Sequence, residues 1–178
     1  MKPLLFLIFL SISVTLSAEE VVPDGFVLQV LEPTGGKIVR PKDWFYTERH
    51  GGPSFTWIIS KEDVGNGPYD TGVRIQTIMG VEKGTGKSPK QFVMDFIAKK
   101  KIEAKQIFDE CEPKNQGLFT RVCLQTEEGF YRNLYSAFWA NGSDLVVIST
   151  AGTKTEEWNK YSEMFDEMSN FELIDMKR

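Results

Sequence analysis

Residues 130–151 read FYRNLYSAFWANGSDLVVISTA, two apolar runs on either side of Asn141-Gly142. Asn-Gly between such runs is the strongest short-range hairpin signal, because a type I′ turn needs positive φ at both central positions and these two residues tolerate it best. Side chains alternate across a strand, so Phe130, Leu134 and Phe138 fall on one face and Tyr131, Tyr135 and Trp139 on the other. A strand that is aromatic on both faces belongs in a sheet covered on both sides. The sequence therefore predicts a central hairpin with structure packed above and below it.

The remaining elements are read from periodicity and punctuation. Phe26 to Leu31 and Lys37 to Arg40 read as strands about the turn Pro33-Thr34-Gly35-Gly36, with Pro41 marking an edge or an exit and Trp44 folding back onto the core. Phe55 to Ser60 is a third strand and Gly72 to Val81 a fourth, with Val73, Ile75, Thr77 and Met79 facing one way. The segments Tyr46 to Ser54 and Lys61 to Thr71 read as long loops. Ser88-Pro89-Lys90-Gln91 has the pattern of a capping box, and Phe92, Val93, Phe96 and Ile97 follow at helical spacing. Lys99 to Lys101 close that helix, where cations complement the macrodipole. Ala104 to Glu110 and Leu118 to Gln125 read as strands joined by a turn at Glu112 to Gly117, with a second turn at Glu127-Glu128-Gly129. After the central hairpin, Thr153 to Glu156 repeats the capping pattern, Trp158, Tyr161, Phe165 and Met168 form a helical stripe, and Phe171 to Ile174 adds a short strand. This order predicts an α+β domain with a largely antiparallel sheet and a helix on each face.

The first residues carry Lys2, an apolar run and then Ser17-Ala18 before two glutamates, the pattern of a signal peptide over 1–18 cleaved after Ala18. A retained membrane anchor is the competing reading, but the run is shorter than the ~20 residues a spanning helix needs. Residues 19–25 are then a short leader and 26–178 one domain. Export to a periplasm or to the medium follows from this reading. The 178-residue chain carries 21 basic and 25 acidic residues without a concentrated basic face, which does not suit a nucleic-acid partner. In an exported chain the two cysteines, Cys111 and Cys123, suit a disulfide, with two buried thiols as the other possibility.

Chemical motifs are sparse. Gly84-Thr85-Gly86-Lys87-Ser88 lacks the first glycine of a phosphate-binding loop, and Ser88 serves better as a helix cap, so no nucleotide is expected. His50-Gly51-Gly52 resembles an esterase oxyanion loop without the serine elbow or a second histidine. Asp63, Asn66 and Asp70 could offer oxygens to a cation, but they lack a calcium-loop spacing and equally suit turns. Asn141-Gly142-Ser143 is formally a glycosylation sequon that the hairpin turn already explains. Because loops on a rigid scaffold carry binding, Arg49, His50 and Tyr69 are the expected binding residues.

The order of elements, Pro41-x-x-Trp44, the helix entered through Gln91-Phe92, and a meander closed by Thr153 to Met168 with Trp158 and Asn170-Phe171 resembles the PsbP-like superfamily. That group includes PsbP, DcrB-type envelope proteins and the Ran-binding Mog family. The resemblance covers residues 26–174 and implies an α-β-α sandwich around an antiparallel sheet, in proteins that bind and stabilise partners rather than catalyse. Histidine metal ligands cannot be transferred to a chain with one histidine, and the cysteine for lipid anchoring is absent. The expectation is an exported, cofactor-free binding or assembly module of the cell envelope, bound to an unidentified envelope protein. The competing expectation is a small-ligand or cation-binding protein that uses the 61–71 loop.

Overall fold

The computed structural model describes residues 22–65 and 67–174. The signal-peptide reading and Asn66 lie outside the described residues. The strands before the first helix are β1 (Phe26–Leu31), β2 (Gly35–Pro41), β3 (Phe45–Gly51), β4 (Ser54–Ser60) and β5 (Gly72–Met79). Helices α1 (Val81–Thr85) and α2 (Pro89–Glu103) follow, then the meander β6 (Gln106–Gln116), β7 (Phe119–Glu128), β8 (Tyr131–Ala140) and β9 (Leu145–Lys154). A 3-10 turn at Thr155–Glu157, helix α3 (Trp158–Met168) and strand β10 (Glu172–Ile174) complete the order. Seven strands form one antiparallel sheet in the order β3-β4-β5-β9-β8-β7-β6, and β1, β2 and β10 form a small second sheet.

β8 and β9 lie at the middle of the large sheet, and alternation along them divides two cores. Leu134, Phe138, Val147 and Ala151 face the core built with α3 and the small sheet, where Trp57, Ile59, Val73 and Ile75 also lie. Tyr135, Ala137, Trp139 and Val146 face the other core, closed by Val93 and Ile97 of α2. The α+β class, the antiparallel sheet and the helices on opposite faces match the sequence reading. Residues Trp158, Tyr161, Phe165 and Met168 of α3 are all buried, and each contributes roughly 1.5–3 kcal/mol of apolar burial. β10 pairs with β2 so closely that a Cβ on Gly36 would lie 2.3 Å from the Glu172 carbonyl oxygen, which only glycine avoids.

Several local readings change. The hairpin is present, but β8 ends at Ala140 and β9 begins at Leu145, so residues 141–144 make a four-residue connection rather than a type I′ turn on Asn141-Gly142. Only Gly142 has positive φ there, at 89°. Tertiary bonds set this register: the Asn141 N–H donates to the Leu118 carbonyl, the Thr120 hydroxyl donates to Asn141 Oδ1, and Asp144 accepts from Gly80 and Glu82. Phe130 lies in the turn before β8 and is 85% exposed instead of facing a core. The segment 46–54 is mostly strand, and β6 runs through the expected turn at 112–117. Ser88 caps α2 by accepting from Gln91 N, but the Gln91 side chain donates to Asp95 and leaves the box half made. Thr153 does not cap α3, because it lies within β9, buried, and bonds Thr71 across the sheet.

Candidate functional site

β3 is an edge strand whose hydrogen-bonding side can be read from its neighbours. Lys61 N donates to Thr71 O and Met79 N to Pro53 O, so the odd residues of β4 bond β5 and the even ones bond β3. In register with them, Phe45, Thr47, Arg49 and Gly51 face β4, and the N–H and C=O groups of Tyr46, Glu48 and His50 point away from the sheet. Among the described residues these outward backbone groups have no strand partner. The seven-residue pairing of β3 with β4 runs without a register shift, and Phe45 is 45% exposed.

On one face of this edge the side chains form a closed set. The Tyr46 hydroxyl lies 2.7 Å from Glu48 Oε1 and 3.1 Å from the Val30 carbonyl oxygen, and His50 Nε2 lies 3.2 Å from Glu48 Oε2. Burial, reinforced by Glu48, pushes the Tyr46 phenol well above its ordinary pKa. The His50 ring stands edge-on to Phe55 and Trp57 at 5.2 and 6.0 Å. His50 is therefore a strand residue with a carboxylate neighbour rather than a residue of a glycine loop.

On the opposite face α2 packs mainly on β7, β8 and β9, and its Phe96 and Lys100 line a shallow cleft with Arg74 and Gln76 of β5. Register brings Arg49, Thr56 and Gln76 into one row and places Arg74 on the same face beside Ile58. Arg74 donates to Gln76 Oε1 at 2.8 Å, and Gln76 donates to Ser54 Oγ at 3.1 Å. The 61–71 loop folds Tyr69 back over Gly72. Burial raises the Tyr69 phenol pKa, while the positive charges of Arg74 and Arg49 oppose the rise. Arg49 and Tyr69, far apart in sequence-based terms, thus share one surface, and His50 faces the other way. Among the described residues neither Arg49 nor Arg74 has a carboxylate within ion-pair distance.

The oxygen-bearing residues of the loop are engaged elsewhere. Asp63 Oδ1 accepts from Gly65 N, and Asp70 bonds Lys154 at 2.8 Å and the Tyr131 hydroxyl. Lys154, with Tyr131, holds the Asp70 carboxyl below its usual range. Among the described residues no cluster of three or more His, Cys, Asp or Glu side chains could hold a metal ion, and no helix is long and apolar enough to cross a membrane. Cys111 and Cys123 sit opposite each other on β6 and β7, 5.0 Å apart between Cα atoms, and form a disulfide.

Sequence reading missed Arg74 and the edge itself. Arg74 was legible as a polar position in the alternation of β5, but only pairing with β4 shows that β3 is a strand. The class defined by these layers is an α+β sandwich on an antiparallel sheet. No family model and no curated protein matches the chain. Among solved structures it is similar to the solution structure of cyanobacterial PsbP (CyanoP) from Synechocystis sp. PCC 6803. That similarity has 11% sequence identity and a TM-score of 0.49, over 87% of this chain and 96% of that one.

Proposed function

We propose that the chain is an exported, non-enzymatic binding module of the cell envelope that takes an extended, acidic segment of a partner protein along β3. The observation that carries this reading is the row of outward N–H and C=O groups at Tyr46, Glu48 and His50, beside the uncompensated Arg49 and Arg74. Strand addition supplies affinity through backbone bonds and specificity through alternate side chains, and acidic residues of an added strand would meet Arg49 of the adjacent β3. The Cys111–Cys123 bridge fits an oxidising compartment outside the cytoplasm. N-terminal sequencing of the native protein should begin at Glu19.

The test is recovery of a partner from the native envelope fraction, followed by amide hydrogen exchange on the complex. Wild type should retain a protein that protects the amides of Tyr46, Glu48 and His50. Arg49→Ala with Tyr69→Ala should lose that protein with nearly unchanged thermal stability. Equal recovery by the double variant, or protection confined to another strand, would move the binding surface away from β3.

A further inference from the structure

A cleft of about 260 Å³ opens on the α3 side of the sheet, away from β3. Phe119 and Arg121 of β7 and Phe138 of β8 line it from the sheet, and Asn170, Phe171 and Leu173 line it from the segment after α3. The three phenyl rings touch edge to face, with centroids 6.5 Å apart for Phe119 and Phe138 and 5.9 Å for Phe138 and Phe171. Arg121 lies against this cluster, its guanidinium carbon 5.9 Å from the centre of the Phe138 ring.

Among the described residues the charge on Arg121 has no counter-ion. Its Nη2 donates to Ser136 Oγ at 2.9 Å, while its Nε is buried without an acceptor. Among the described residues no carboxylate pairs with it. Burial pushes its pKa down, as expected for a cation held partly out of water without compensation. Arg132 also has a buried, unpartnered Nε, but it is packed between the Phe108 and Trp158 rings with Glu127 beside it. Arg121, by contrast, lines the cleft.

A guanidinium offers five N–H groups in a planar fork that matches a carboxylate, and pairing gives two charge-assisted bonds at once. The phenyl rings offer an apolar bed beside it. A cavity of about 150 Å³ holds benzene, so this volume has space for one ring or branched alkyl group with its carboxylate. We propose that the cleft binds a small carboxylate with an aromatic or branched apolar body, with Arg121 taking the carboxylate and Phe119, Phe138 and Phe171 taking the body. Such a group occurs in free acids and at the C-terminus of a peptide that ends in an apolar residue.

The full chain is titrated by NMR with hydrocinnamate, with hydrocinnamyl alcohol and with acetate. Hydrocinnamate should shift resonances of Arg121, Phe138 and Phe171 saturably, with a Kd on the order of 1 mM. The alcohol and acetate should each bind at least tenfold more weakly, and Arg121→Gln should lose hydrocinnamate binding at least tenfold. Equal affinity for acid and alcohol overturns the proposal, as does unchanged affinity in Arg121→Gln. The comparison of acid with alcohol uses wild type and stands if Arg121→Gln does not fold. Acetyl-alanyl-phenylalanine, as free acid and as amide, separates the sources. Tighter binding of the acid than of hydrocinnamate assigns a peptide C-terminus and weaker binding a free acid, whereas equal binding of acid and amide overturns the carboxylate site.

Discussion

At one edge of the seven-stranded sheet β6 runs eleven residues with two register shifts, whereas at the other β3 runs seven in unbroken register. The β6 edge carries Asp109, Glu110, Glu112, Pro113 and Lys114, is cross-linked to β7 by Cys111–Cys123, and is tied to α2 through Lys101 and Glu110. Bulges, charges and proline are the devices that stop an edge from pairing with another chain. β3 has none of the bulges or prolines, and it carries Glu48 on one face and Arg49 on the other. One edge carries the devices that oppose strand addition, and the other lacks the bulges and the proline among them.

Proline substitutions break this comparison most sharply. Arg49→Pro removes an N–H that faces β4 and should cost roughly 3 kcal/mol. Glu48→Pro removes one that faces outward and should cost about 1 kcal/mol while abolishing partner recovery. Equal losses in chemical denaturation would show that the outward register of β3 is wrong.

The β6 edge is tested next. Cys111→Ser with Cys123→Ser opens a crosslink spanning 12 residues and should destabilise by about 2–3 kcal/mol, and intact mass before and after reduction should differ by one disulfide. A wild-type protein with two free thiols would remove the main restraint on this edge.

Lys100 of α2 clamps the same half of the sheet, bonding Glu128 at 2.9 Å and Glu103 at 3.0 Å. Burial alone would lower the Lys100 pKa, but Glu128, Glu103 and Tyr135 hold it above its ordinary value. Burial would raise the Glu128 pKa, but Tyr135, Lys100 and Thr126 hold it below. The Glu128 contribution is complete above the unfolded carboxyl pKa of about 4.3 and fades as pH falls through its lower folded value. The Lys100 contribution is complete below about pH 10.4 and fades as pH rises through its higher folded value. Lys100→Met should therefore lower stability by roughly 1–3 kcal/mol across that window and flatten both limbs of the profile.

The smallest effect lies at the central hairpin, equidistant from the question of edges. Gly142 has φ 89° and open space around its Cα, so Gly142→Val should cost ~1 kcal/mol through backbone strain alone. An unchanged denaturation midpoint would show that the 141–144 connection relaxes freely.

What was legible in the sequence was whatever a short window encodes. The two-faced alternation around Leu134, Tyr135 and Phe138 placed the central hairpin, the stripe from Trp158 to Met168 defined α3, and Ser88-Pro89 marked the start of α2. Each depends on the burial or capping of residues a few positions apart. The register of the 141–144 connection was not legible, because bonds from Leu118, Thr120, Gly80 and Glu82 fix it. Nor was β3, whose polar residues give no apolar alternation and whose strand form comes from pairing with β4. The sharing of one face by Arg49, Tyr69 and Arg74, and the placement of Arg121 against Phe138, were likewise decided by tertiary structure. Residues distant in sequence come to share a surface only when strand pairing brings their Cα atoms together, and no local propensity records which strands will pair.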